Sequence, residues 1–176
     1  LGKKVSSHSH SRSSIAQAVR AGVDTIEHGT ELDQPLVSAI LDAGIYLVPA
    51  FTIGQFLETE GAASGVPESS MRKARESHAR QGESIRMAYR AGVPLVTGTD
   101  SCMTMPFGRH TWELSYLVES LEMSPSEALV SATGLAATLY IFPLQAGCDF
   151  GNTPALARPT TTPIGAAVAG DPKRVT

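Results

Sequence analysis

Three short stretches place groups that could bind a metal or move a proton at the end of an apolar run. His8-Ser9-His10 puts two imidazoles on one face of an extended segment, because side chains along a strand alternate with period two. That geometry suits a divalent cation. His28 follows Ile26-Glu27 and precedes Gly29-Thr30, where a strand gives way to a turn. Asp100 closes Val96-Thr97-Gly98-Thr99, and a carboxylate at the end of an apolar strand must find a partner or a cation. Each residue also has an ordinary reading: a solvated strand-end His, a hydrogen-bonded loop His, an Asp that caps the next segment. If separate strand ends meet, two His and a carboxylate form a divalent-metal set.

The surrounding pattern supplies such strands. Ala21-Gly22, Ala43-Gly44 and Ala91-Gly92 each end an amphipathic segment and precede an apolar run. A Gly just past a helix closes it in the left-handed conformation. The apolar run behind it suits a buried parallel strand. Helix, Ala-Gly and strand thus recur three times, which predicts parallel strands near residues 4–8, 23–27, 45–49 and 93–98. The fold class is α/β, a partial (β/α)8 TIM barrel with chemistry at the C-terminal ends of its strands.

Between the strands, residues 11–20 read as helix. A second helix is capped by Asp33 with Pro35 in its first turn, and its buried stripe is Leu36, Val37, Ile40 and Leu41. Residues 51–69 read as a long loop of the kind that often covers a site. Residues 71–90 read as a polar helix with an apolar patch at Ile85, Ala88 and Tyr89. Residues 112–121 are helical, with Leu114, Leu117, Val118 and Leu121 at core spacing. Ser124-Pro125-Ser126-Glu127 is a capping-box start for a helix running to about Leu139, packed through Leu129, Ala132, Ala136 and Leu139.

The bulk numbers narrow the function. A chain of 176 residues supports one packed domain but falls short of the roughly 250 residues of a whole eight-stranded barrel. It opens Leu1-Gly2-Lys3-Lys4 without Met or a targeting segment, and so reads as a piece of a longer protein. A net charge of −3 argues against nucleic acid or an anionic membrane as the main partner. No apolar run approaches the roughly 18 residues of a membrane span. Cys102 and Cys148 are too few for a disulfide framework, so a reducing cytoplasm is the expected setting.

Taken together, the motifs resemble a known family. Val5-Ser6-Ser7-His8-Ser9-His10, Ile26-Glu27-His28-Gly29-Thr30 and Val96-Thr97-Gly98-Thr99-Asp100 are similar to strands five, six and eight of the amidohydrolase superfamily. The similarity is greatest to its imidazolonepropionase-like and Xaa-Pro dipeptidase-like branch. Ala91-Gly92-Val93-Pro94, Glu113-Leu114, Met123-Ser124-Pro125-Ser126-Glu127-Ala128-Leu129 and Ala132-Thr133 fit the same branch, so the resemblance covers roughly residues 3–140. It implies that His8 and His28 are metal ligands, and that Asp100 binds metal and takes a proton from the attacking water. The implied cofactor is a divalent metal, zinc by expectation, which lowers the pKa of bound water toward neutrality. The carboxylate then passes that proton to the leaving nitrogen. The expected substrate is a small molecule or dipeptide with an amide, peptide or cyclic C–N bond. His10, Arg109 and His110 are candidates for substrate contact, Arg109 because its planar fork suits a carboxylate.

The resemblance also has limits. The family's first strand carries a His-x-His and its fourth a bridging Lys, usually carboxylated, or a Glu; this chain carries neither. The expected domains are residues 1–141, the C-terminal half of a hydrolase barrel, and 142–176, an irregular tail. In that tail, residues 142–164 match nothing in the family, as a pair of compensating frameshifts would produce, while Gly170-Asp171-Pro172 matches its end. Such a chain is expected to have little activity alone. Two other readings stand beside this one. A non-catalytic half-barrel would expose strand edges and survive by association, for instance as a homo-oligomer. A TIM-barrel lyase or isomerase for phosphorylated substrates expects a Gly-rich phosphate loop near the last strands, which residues 99–103 do not resemble.

Overall fold

The computed structural model describes residues 3–101 and 107–145, with backbone alone for 140–145. Three strands form a parallel sheet in the order β1 (Ser6–Ser9), β2 (Thr25–His28), β3 (Tyr46–Val48). Ser6 pairs with Thr25 and His8 with Glu27; Thr25 in turn pairs with Tyr46. The fourth expected strand is reduced to a parallel bridge between Leu47 and Leu95, held by Leu47 N–H to the Pro94 carbonyl (3.0 Å) and Val96 N–H to the Leu47 carbonyl (2.9 Å). Pro94 has no N–H to donate, and this restricts the ladder at that point.

The connections follow the sequence pattern closely. Helix α1 (Arg12–Ala21) is capped by the Ser11 hydroxyl, and α2 (Gln34–Ala43) by Asp33. Both end at a left-handed Gly, Gly22 (φ 72°) and Gly44 (φ 65°). Gly92 (φ 91°) plays the corresponding part after α4 (Glu68–Arg90). One sheet face meets the helices: Ile26, Leu47 and Leu95 pack with Ile15, Val37, Ile40, Ile85 and Leu117 in the main core. The other face carries Val48 and Val96, against which Leu139 of α7 (Gly134–Gln145) packs.

Two expectations about the helices give way. Residues 51–69 are not a long loop, because α3 (Phe51–Thr59) occupies the first half, followed by a turn. Phe51 and Phe56 are fully buried and anchor it, an i to i+5 pair that its Gly and Thr content masks. Helix α5 (Trp112–Leu121) falls where expected. The last expected helix is two: α6 (Pro125–Ala132), with the complete capping box at Ser124 and Glu127, and α7, separated at Thr133 (ψ −87°). Within α6, Ala128 faces the core while Leu129, expected to pack, is exposed. The expected division at 141/142 lies within α7, and the tail from 146 onward lies outside the described residues. No helix among the described residues is long and apolar enough to cross a membrane.

Candidate metal centre

The C-terminal ends of β1, β2 and the bridging segment open on one cavity of about 140 Å³. His8, His28 and Asp100 line it together, with Glu27, Val48, Ala50 and Gly98 completing the wall. His28 Nε2 and His8 Nδ1 lie 3.1 Å apart. Two ligand nitrogens on one tetrahedral zinc, with bonds of about 2.0–2.1 Å, sit about 3.3 Å apart. A cation held by both imidazoles would take the place of their present hydrogen bond at nearly the same nitrogen spacing.

Local folding explains this placement. His28 ends β2 and turns the chain with φ 72°, followed by Gly29 at φ 60°. The Gly29 N–H donates to the Ser9 carbonyl (3.1 Å) and the Glu31 N–H to the His10 carbonyl (2.9 Å), stitching the turn after β2 to the end of β1. Asp100 (φ 51°) and Ala50 (φ 53°) are also left-handed. Three non-glycine residues on this cavity thus hold a conformation that costs about 1–3 kcal/mol each, a concentration of strain typical of functional sites.

His10 is closer to the centre than the sequence implied. One ring nitrogen from each of His8, His10 and His28 falls within 4.8 Å of the others. The His10 ring stacks on His28 with centroids 4.4 Å apart, and its Nδ1 is 2.7 Å from the buried Thr30 hydroxyl. Asp100 lines the cavity but does not belong to that group of three. Burial, helped by the neighbouring His10 and His8, pushes the His28 imidazole down to about 4. Burial and His8 also lower His10, against an opposing pull from Asp100 and Glu31. Neutral imidazole is the form that ligates a metal.

Arg109 and His110 are not brought to this cavity. The Arg109 guanidinium pairs with Glu60 and lies 4.4 Å from the centre of the Trp112 ring. The exposed His110 faces Phe107, with ring centroids 6.5 Å apart. His78, expected in solvent, instead pairs with Glu58 at 3.1 Å and helps join α4 to α3.

Two buried residues to which the sequence assigned no role at the site support it. Gln81 donates to the carbonyls of His28 (2.9 Å) and Pro49 (2.5 Å), so α4 holds the ends of both β2 and β3. Glu113 accepts from the Phe51 and Thr52 N–H groups (3.0 and 2.8 Å) and from the Thr52 hydroxyl (2.6 Å). It caps α3, whose own N-cap residue Ala50 offers no side-chain acceptor. The signal for Glu113 was a carboxylate in register with Leu117 and Leu121 on an otherwise apolar stripe.

Comparisons with known proteins agree with the fold. The chain is 33% identical over 132 residues to an uncharacterized protein of Mycobacterium tuberculosis, covering 74% of this chain and 35% of that one. It is 32% identical over 133 residues to ochratoxinase of Aspergillus niger, covering 75% of this chain and 27% of the enzyme. Among solved structures it resembles a Xaa-Pro dipeptidase with methionine bound in its active site (TM-score 0.68, 32% identity, 78% of this chain and 34% of that one). It also resembles A. niger ochratoxinase (TM-score 0.66, 28% identity, 78% and 30%). The chain thus spans about a third of the length of the proteins it matches. The sequence profile of the amidohydrolase family matches residues 1–148, and the chain belongs to that family of hydrolases.

Proposed function

We propose that this chain is the part of a divalent-metal-dependent amidohydrolase corresponding to strands five to eight of its barrel. The reaction is hydrolysis of an amide, peptide or cyclic C–N bond, and a dipeptide-like substrate is the leading class. The convergence of His8, His28 and Asp100 on one cavity at parallel strand ends carries the reading. The Xaa-Pro dipeptidase and ochratoxinase likenesses support it.

A divalent ion, zinc by preference for this donor set, supplies a lowered water pKa when bound. His8 and His28 would hold it through the two nitrogens now 3.1 Å apart. Asp100, on the exposed rim, takes the proton of the attacking water and returns it to the leaving nitrogen. Gln81 and the left-handed turn at His28 fix the imidazole in place before substrate arrives. In this reading Arg109 meets a substrate carboxylate only by exchanging its bond to Glu60.

The test is a chimaera in which residues 3–140 replace the matching segment of the Xaa-Pro dipeptidase. Circular dichroism establishes that it folds. Xaa-Pro dipeptides and N-acyl amino acids are then assayed with zinc or manganese. Metal-dependent turnover abolished by Asp100→Asn supports the reading. A folded chimaera that binds metal and hydrolyses none of these substrates counts against it.

A further inference from the structure

We infer that His10 joins His8 and His28 as a third ligand, so that this chain holds one divalent transition-metal ion with no donor from outside it. The inference builds on the proposed function for His8 and His28 and adds His10, which that reading leaves to substrate.

His10 Nδ1 lies 2.7 Å from the Thr30 hydroxyl, and Thr30 is buried. The Thr30 carbonyl accepts from Ser84 Oγ at 2.7 Å, so α4 holds Thr30 still. The Thr30 hydroxyl can accept from Nδ1–H, and in that tautomer the lone pair of His10 resides on Nε2. A ligating His whose other ring nitrogen is fixed by a hydrogen bond is the usual arrangement at metal sites. The backbone is pinned as well, through Glu31 N–H on the His10 carbonyl.

The spacing follows. One ring nitrogen from each of the three already lies within 4.8 Å of the others, and His28 Nε2 is 3.1 Å from His8 Nδ1. Closing the set to the roughly 3.3 Å of a tetrahedral centre asks most of His8 and His10. Both are exposed; His8 turns about its side-chain torsions, and His10 tilts off the His28 ring with Thr30 still its partner, while the buried His28 stays in place. Three neutral nitrogens favour zinc, cobalt, nickel or copper over magnesium or calcium, which take oxygen donors. A fourth position remains open toward the cavity that Asp100 lines.

The test uses the intact chain. Cobalt(II) is titrated against the purified protein and followed by its visible absorption, and zinc affinity is measured by calorimetry. Circular dichroism checks the fold of each variant. One equivalent should bind with the absorption of a tetrahedral nitrogen site. His10→Ala should weaken zinc about as much as His8→Ala does and alter the cobalt spectrum. Thr30→Val should weaken zinc by about 10–100-fold through the lost orienting bond. Asp100→Asn should matter less than His10→Ala. If His8→Ala and His28→Ala abolish binding while His10→Ala leaves affinity and spectrum unchanged, His10 is no ligand and the proposed function still stands. If the wild-type chain binds neither metal, the three-imidazole site is overturned, while a complete barrel could still assemble a centre with further ligands.

Discussion

The side-chain amide of Gln81 donates to the carbonyl of His28 at 2.9 Å, so a helix 53 residues away holds the turn that aims an imidazole into the cavity. The same amide reaches the Pro49 carbonyl at the end of β3. Removing it leaves two carbonyls without their donor and releases a left-handed turn from its brace. Gln81→Ala should destabilise the chain by about 1–3 kcal/mol for each buried group left unpaired. It should also weaken zinc binding, because His28 loses its preset position. Gln81→Glu should be worse near neutral pH, since an ionised carboxylate would face two carbonyl oxygens. Urea unfolding and zinc calorimetry on the two variants check both statements.

Glu113 gives a pH signature. Burial pushes its carboxyl up to about 7, although the Thr52 hydroxyl and two backbone N–H groups favour the charged form. A carboxyl with a raised folded pKa binds its proton more tightly folded than unfolded. Its contribution is therefore greatest at low pH and is lost as pH rises from about 4.5 to about 7, with a slope of at most ~1.4 kcal/mol per unit. His28 acts the opposite way: its imidazole, lowered to about 4, adds stability as pH rises toward 6.5. The difference between wild type and Glu113→Gln isolates the first effect. Urea midpoints between pH 5 and 8 should show the variant gaining relative to wild type as pH rises. A constant offset would show that Glu113 does not titrate in this range.

What the sequence made legible was local. Ser11, Asp33 and the Ser124–Glu127 box lie within a turn of the groups they cap, and Gly22, Gly44 and Gly92 announce their own backbone. Short-range patterns of this kind also located β1, β2 and β3. The start of α3 escaped notice because its cap, Glu113, arrives from 62 residues away. The break at Thr133 escaped because the apolar spacing runs through it, which outweighed the Gly134 that follows directly. At the site, His8, His28 and Asp100 were legible as strand ends. The placement of His10 depends on the Thr30 hydroxyl, and that of Arg109 on Glu60 and Trp112, contacts that no spacing encodes.

Gly98 marks a close approach. A methyl group at its Cα would lie 2.6 Å from Val48 Cγ1, inside the cavity wall. Gly98→Ala should cost about 1–3 kcal/mol as an overpacked position, and trimming the partner with Val48→Ala should recover part of that loss. A double-mutant cycle by thermal unfolding measures the coupling. Additive effects would mean that the strands separate freely at this point.

The central claim is that His8 and His28 share one metal ion at the cavity mouth with Asp100 facing it. Crystals grown with zinc and measured at its absorption edge test this most directly. The account predicts an anomalous peak about 2.0–2.2 Å from a ring nitrogen of each imidazole, on the cavity side that Asp100 lines, and its disappearance in His28→Ala. A strong zinc peak elsewhere, with none between His8 and His28, would contradict it.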